Sequence, residues 1–593
     1  MANTNTDNWG TNSWAAGKSS ASNITTVNLT GGTVTGNVYG GGLGRMAVGE
    51  SGQTGYVPAI EAKVYGNTTV ELNNGVADNA KGCIVEGSIF GCNNMSGSPQ
   101  GATTVHIYKT QRKGATRITN TNTDETAKVK GTKTNGEYDP SSFDVQAVYG
   151  GGNMAAFEPV ELTTVSTNVI IDGCDRTSIC QVYGGGNAAS TPATSVTING
   201  TYEIGELFGG GNGKDDIVKN DVTLPNPGAN VGYKNYSEYY KEEGSNTWKV
   251  RDKLDATTKA DRLGSSYVYG TGVATVNVFG GLVHRVFGGS NTKGNVRQTA
   301  LTLLDENSGC EFCVDEAYGG GKSAPMDAEA KMLMACIPGL EEVYGGAQAA
   351  DIKDNVTLTI TNGTFNRVFG GNNISGTISG KITVNVEETG CRPVIIGELY
   401  GGGNLAAYSI YGYNDDNTPK ESGDNPFDDP EVNVRSFTSI GAVYGGGYGE
   451  GAKMIASPTV NINESLGTPD TYPTTGVDYD TNGFKGKTIT LDVGKPTEHT
   501  VTLPAHTKDR IGAIGNVFGG GNAAEVKGNT TVNIGTLSEN TFVSVDDDSS
   551  TTDTDESKMS VLGADIRGNV YGGGNNAGVT GDTNVTIGKK ATP

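Results

Sequence analysis

The sequence predicts an all-β fold, a parallel β-solenoid of about 13 three-strand coils with long corner insertions. Three observations carry that expectation. A hydrophobic residue, an aromatic and a glycine run recur along the whole chain, as in Val38-Tyr39-Gly40-Gly41-Gly42, Val182-Tyr183-Gly184-Gly185-Gly186, Leu207-Phe208-Gly209-Gly210-Gly211 and Val570-Tyr571-Gly572-Gly573-Gly574. Between these runs stand segments that alternate Thr or Asn with Val, Ile or Leu. Glycine supplies 91 of 593 residues, about twice its usual ~7% share.

The aromatic element comes first. Its rungs are Tyr39, Phe90, Tyr149, Tyr183, Phe208, Phe287, Tyr318, Tyr344, Phe369, Tyr400, Tyr444, Phe518 and Tyr571. Four residues after the aromatic stands an amide: Asn94, Asn153, Asn187, Asn212, Asn291, Gln348, Asn373, Asn404, Asn522 and Asn575. Leu43, Lys322 and Tyr448 break this rule, and the rule assigns the rung to Phe287 over Phe279, which is followed by Val283. The second element is the alternating segment, such as Thr26-Val27-Asn28-Leu29, Val196-Thr197-Ile198 or Val532-Asn533-Ile534. Period-two alternation of β-branched residues reads as a strand with one buried face. A shorter third piece precedes it, such as Val526-Lys527-Gly528 or Val579-Thr580-Gly581. The tightest spacing, 25 residues from Tyr183 to Phe208 and from Tyr344 to Phe369, leaves no room for a helical crossover.

Stacked coils set each strand beside its copy at ~4.8 Å, so like side chains form ladders. Thirteen coils then predict a rod of roughly 60 Å. Glycines after the aromatic are expected to adopt positive φ at a sharp corner, and Asn to tolerate the left-handed region there. The structural ladder is expected in Tyr183, Phe208, Tyr344, Phe369, Asn187, Asn212, Asn404, Asn522 and Asn575. Stacked amides can hydrogen-bond from coil to coil. Each coil touches only its neighbours, so stability adds along the stack.

Composition narrows the function classes. With 65 acidic and 43 basic residues the net charge is −22. Nucleic-acid binding by counterion release needs clustered Lys and Arg, which are absent here. No apolar stretch approaches the length of a membrane span. The start, Met1-Ala2-Asn3-Thr4-Asn5, carries neither the charged nor the apolar region of a signal peptide. The expectation is an excised segment of a secreted protein, its signal and anchor lying elsewhere.

The repeat resembles the right-handed parallel β-helix of the pectin-lyase-like superfamily and of bacterial adhesin passengers. It is closer still to the VYGGGN-repeat segments of large secreted or surface proteins of gut-type bacteria. The resemblance spans residues 38 to 587. It implies an extracellular bacterial protein, but folds of this kind host lyases, hydrolases, phage tailspikes and adhesins alike.

The organisation expected is a lead-in at 1–24 and a single solenoid at 25–593, with insertions at 109–145, 213–274, 405–431, 463–512 and 535–563. Function in solenoids tends to sit on such insertions. Two are aromatic: Tyr233, Tyr236, Tyr239, Tyr240 and Trp248 in one, Tyr408, Tyr411 and Tyr413 in the other. These are the ligand-binding candidates, since exposed Tyr and Trp stack on sugars or anchor protein interfaces. The alternative is that they pack the loops onto the coils.

Other constellations are weaker. The pairs Asp215-Asp216, Asp415-Asp416 and Asp428-Asp429 read as solvated loop carboxylates, because catalysis needs carboxylates converging on one face. Asp478, Asp480 and Asn482 match the opening half of a calcium loop, but Ile489 stands where the bidentate Glu belongs. Calcium is one reading, a plain Asn-Gly turn the other; no further cofactor is expected. Gly319-Gly320-Gly321-Lys322-Ser323 looks like a phosphate loop, yet Glu316 replaces the first required glycine. The register instead makes Ala330, Met332 and Met334 a strand, level with Val356, Leu358 and Ile360. Cys310 and Cys336 each lie eight residues before an aromatic rung, so an inter-coil disulfide between them is one reading and a reduced ladder the other. His106 alternates with Val105 and Ile107 and is expected to face outward.

The functional expectation is a non-catalytic, adhesin-like stalk presenting loops to a glycan or an extracellular protein, with no nucleic-acid partner and no membrane insertion. The alternatives are a polysaccharide-degrading β-helix enzyme or phage tailspike, and a structural spacer that associates end to end.

Overall fold

The computed structural model describes residues 20–588 apart from 48–53, 55, 111–132, 135, 161–164, 220–221, 235–236, 241–244, 246, 253–268, 306–308, 390, 463–483, 506–511, 537–541, 545–558 and 562–564. The described fold is all-β, with long parallel sheets built from neighbouring coils. The chain divides into two compact units. The first is Met1–Leu301, Asp305–Val314 and Gly320–Ala328; the second is Thr302–Leu304, Asp315–Gly319 and Glu329–Pro593.

In the first unit the Thr- and Asn-rich segments form one parallel row in chain order: Ser20–Leu29, Gly66–Leu72, Thr103–Ile107, Thr167–Ile171, Thr194–Ile198 and Val273–Val278. The aromatic segments form a second row: Val38–Tyr39, Ser88–Phe90, Val145–Tyr149, Ser178–Tyr183, Glu203–Phe208 and Gly281–Phe287. A third side is marked by parallel bridges linking Thr191, Val231, Val296 and Met326. Thr167–Ile171 pairs with Thr194–Ile198 without slippage, Val169 with Val196 and Ile171 with Ile198. Val196 and Ile198 are fully buried while Ser195 and Thr197 are half-buried, as one-faced burial requires.

The second unit repeats the plan. Its first row runs Ala330–Ala335, Val356–Ile360, Ile382–Glu387, Glu431–Ser436, Thr459–Ile462, Thr530–Ile534 and Thr583–Ile587. Ala330, Met332 and Met334 pair with Val356, Leu358 and Ile360, so the phosphate-loop lookalike leads into a strand, as its register predicts. On the third side Tyr408–Ser409 pairs with Met454–Ile455, and Met454, Val526 and Val579 bridge in turn.

The rungs are stacked rings. Tyr39, Phe90, Tyr149, Tyr183, Phe208 and Phe287 follow one another in the first unit with centroids 4.5 to 4.9 Å apart. Tyr318, Tyr344, Phe369, Tyr400, Tyr444, Phe518 and Tyr571 do so in the second at 4.7 to 5.0 Å. Beside them runs the amide ladder. Asn153 Nδ2 donates to Asn94 Oδ1, Asn187 to Asn153, Asn212 to Asn187 and Asn291 to Asn212, all within 2.9 to 3.0 Å. In the second unit Asn404 donates to Asn373 at 2.9 Å and Asn575 to Asn522 at 3.2 Å.

The reason for the glycines differs from expectation. Among residues with positive φ, the glycine runs after Tyr183, Phe208 and Tyr571 are missing. Crowding selects them instead: a Cβ on Gly184 would lie 2.3 Å from Gly209 O, and one on Gly209 2.2 Å from Gly288 O. The left-handed residue falls one place beyond the amide position, at Gly213, Gly449, Ala523 and Asn576.

The cysteine pairing also differs. Cys310 and Cys336 are both bridged, but to Cys174 and Cys391 respectively, with Cα atoms 5.5 Å apart in each pair. Counting back from the aromatic assumes turns of equal length, and the turns are not equal. Gly200 lies in the short turn between Ile198 and Glu203, where a Cβ would stand 2.6 and 2.7 Å from the sulfurs of Cys310 and Cys174. The two sulfurs therefore meet over this glycine. In the second pair Asn362 plays the intervening part, accepting from Cys336 N and donating to Thr389 O and Arg392 O.

Candidate functional site

The corner aromatics are largely packing residues. Tyr233 is 2% exposed, beside Val231 on the third side of its coil. Trp248 packs against Ala188, Ile217 and Leu224 and so holds the hairpin of Ile217–Lys219 and Val222–Leu224 in place. Tyr239 and Tyr240 stand on Ser237–Tyr240, which pairs antiparallel with Lys249–Asp252; Tyr236 lies outside the described residues. Tyr408 is 3% exposed, and its hydroxyl donates to Gly380 O at 2.8 Å. Tyr413 Oη lies 3.2 Å from both the N and O of Ile378, and burial pushes its phenol up to about 12. Tyr411 is half-buried. Tyr233 and Tyr408 are thus buried, and both lie within the coil path although their positions fall inside the expected insertions 213–274 and 405–431. Asp478, Asp480 and Asn482 lie outside the described residues.

Two other insertions dock on the aromatic row through charge. In the first unit the turn around Glu137 brings Tyr138 and Phe143 against Cys180, whose thiol burial raises to about 12. Glu137 meets Lys214 and Lys322 at 3.0 Å each, and Lys322 also meets the fully buried Glu206 at 3.0 Å. Burial opposes ionisation of Glu137, but the two lysines hold its carboxyl near 2. In the second unit the hairpin of Lys487–Leu491 and His499–Leu503 delivers Asp492 to Arg367 Nη1 at 2.9 Å and to Tyr448 Oη at 2.8 Å. Arg367 also pairs with Glu342 and lies over the rings of Phe369 and Tyr448. His499 Nε2 donates to Glu398 Oε1 and its Nδ1 to Thr497 O, both at 2.9 Å. Glu398 is the main cause that lifts this imidazole to about 9. Both ring nitrogens being engaged, His499 is a clamp.

These sockets had a signal in the sequence. Lys322 and Tyr448 are two of the three residues that break the amide rule, and each takes a carboxylate from an insertion. A second signal stands two residues before the rung. Glu316, Glu342 and Glu398 accept from the hydroxyls of Tyr318, Tyr344 and Tyr400, whereas Arg285 and Arg367 precede Phe287 and Phe369.

A third cluster lies on the outer face of the Thr- and Asn-rich row in the first unit. His106 faces outward, as expected, opposite Glu71 on one neighbouring strand and Ile170 on the other. Its Nε2 is 2.5 Å from Asp172 Oδ2, and its ring stacks on Tyr108 with centroids 3.8 Å apart. Tyr108 Oη reaches Glu71 Oε1 at 3.4 Å, and Asn199 Nδ2 donates to Asp172 Oδ1 at 2.9 Å. The His106 hydrogen bond, ahead of the burial that opposes it, keeps the Asp172 carboxyl below its usual range. No sequence spacing joined these residues, because they come from four separate coils.

Among the described residues no group of three His, Cys, Asp or Glu stands close enough to hold a metal ion. Among them also, no helix is long and apolar enough to cross a membrane. No family model matches the chain, and neither a curated protein nor a solved structure matches it.

Proposed function

We propose that the chain is a non-catalytic, extracellular bacterial surface protein, an adhesin-like β-helix that presents its outer surfaces to a glycan or to host-matrix protein. The observation that best supports this reading is the pair of disulfides, Cys174–Cys310 and Cys336–Cys391. Such bridges persist in oxidising compartments and are rare in the cytosol. The docked insertions suit display as well, since ion pairs and buried side chains hold them to the coils and reduce the entropy lost on binding.

A binding screen of the whole chain against glycans and host-matrix proteins, with and without calcium, tests the reading. Saturable binding to one class is the expected result. Absence of binding in every arm, with monodisperse particles, would replace it with a structural spacer. Turnover of a bound glycan, seen as new reducing ends, would replace it with a polysaccharide-degrading enzyme.

A further inference from the structure

We propose that Glu71, His106, Tyr108, Asp172 and Asn199 form a binding site for an uncharged, hydroxyl-rich chain such as a neutral oligosaccharide. The proposal rests on the glycan-binding reading above and moves its contact from the corner loops to the face of the sheet.

Placement comes first. Glu71, His106, Ile170 and Thr197 are level on four consecutive strands, Gly66–Leu72, Thr103–Ile107, Thr167–Ile171 and Thr194–Ile198. Tyr108, Asp172 and Asn199 each follow by two residues, the spacing that returns a side chain to the same face. Four coils span three gaps of ~4.8 Å, or roughly 14 Å, long enough for an extended chain of about three sugar rings.

The chemistry of His106 sets it apart from the other two described histidines. His284 is buried against Glu203, and His499 has both nitrogens engaged. His106 is 20% exposed, and only its Nε2 has a partner, the carboxylate of Asp172. A carboxylate accepts, so Nε2 carries a proton, and Nδ1 is the ring nitrogen left to meet a ligand hydroxyl. Glu71 and Asp172 retain lone pairs beyond those already used. Acceptors therefore outnumber donors, which suits a chain of hydroxyl donors.

The local charge decides against acidic ligands. Lys109 and Arg176, the cations next to the cluster, are both drawn to Asp78. Among the described residues the two carboxylates have no spare cation beside them, an arrangement that repels a uronate or a sulfated chain.

The site is also stiffened. Cys174, two residues beyond Asp172, is bridged to Cys310, and Thr177 Oγ1 donates to Asp172 O at 2.5 Å. A polar constellation held this way loses less entropy on binding than one on a free loop.

The test uses the full chain with carbon-13 at histidine Cε1, His106→Gln identifying the His106 signal. Cellotriose, xylotriose and maltotriose are titrated, with trigalacturonate as the anionic control. At least one neutral trisaccharide is expected to shift the His106 signal saturably while leaving the other three histidine signals in place, and trigalacturonate to leave all four unmoved. Glu71→Gln and Asn199→Ala, both surface changes whose folding is checked by circular dichroism, should each weaken binding by roughly three- to ten-fold. A His106 signal that none of the neutral trisaccharides moves overturns the site. So does one that trigalacturonate moves as strongly, or a trisaccharide affinity unchanged by both variants. If the chain still binds glycans in the screen, only the site has failed; if it binds none, the glycan reading fails with it.

Discussion

A methyl group at Gly209 would sit 2.2 Å from the backbone oxygen of Gly288, with no flexible atom to move aside. Gly209→Ala is therefore expected to destabilise the first unit by about 1–3 kcal/mol, measured by urea unfolding. Arg367 carries a different kind of constraint. Its side chain and that of Asp492 are only 5% and 4% exposed, so Arg367→Ala strips Asp492 of its buried cation, leaving it Tyr448 and the exposed Lys495, and should cost about 2–3 kcal/mol in the same measurement. The pH dependence follows from two groups of that cluster. His499 is raised to about 9 when folded, so its contribution is whole below about 6.5 and is lost as pH rises through about 9. For Asp492 burial opposes ionisation, yet Tyr448, Lys495 and Arg367 together hold its carboxyl well below the usual range. Its contribution is present above about 3.9 and is lost as pH falls further. His499→Gln should flatten the alkaline loss seen in urea midpoints and leave the acid limb intact; an unchanged alkaline limb would refute the assignment.

Among the elements, the insertions are the informative ones. The hairpin of Lys487–Leu491 and His499–Leu503 sits on two glycines of the aromatic row. A Cβ on Gly397 would lie 2.5 Å from Ile489 Cδ1, and one on Gly441 2.3 Å from Val501 Cγ1. Gly441→Val should lift the hairpin and also press on the strand beneath, since a Cβ there would lie 2.6 Å from Gly397 O. The expected result is faster proteolysis and hydrogen exchange within residues 487–503, with a smaller loss of protection in Val394–Tyr400. Part of this docking was legible in the sequence. Lys322 and Tyr448 stood out as breaks in the amide ladder, although what they bind was not, since Glu137 and Asp492 lie 185 and 44 residues away. The burial of Tyr408 was not legible, because a short coil strand with no repeat signature of its own reads like the loop that follows it.

For the whole molecule, coil-by-coil ladders make stability local, and the disulfides add links that skip two coils and one coil respectively. They close loops of 136 and 55 residues, for which chain entropy allows at most about 5 and 4 kcal/mol. Thiol titration of the denatured chain should give four free thiols without reductant, Cys83, Cys92, Cys180 and Cys313, and eight with it. Eight without reductant would remove both bridges, and with them the main support for an oxidising compartment.

The amino-acid order alone determined which residues are rungs and which strands are level. A repeat writes each of these once per turn, and a strand shows its buried face in every second letter. The tertiary structure alone decided which cysteines meet, which insertion carboxylate fills which socket, and that Glu71, His106 and Asp172 share one face. Those pairings depend on how far unequal turns and loops reach across neighbouring coils, a distance that no count along the chain contains.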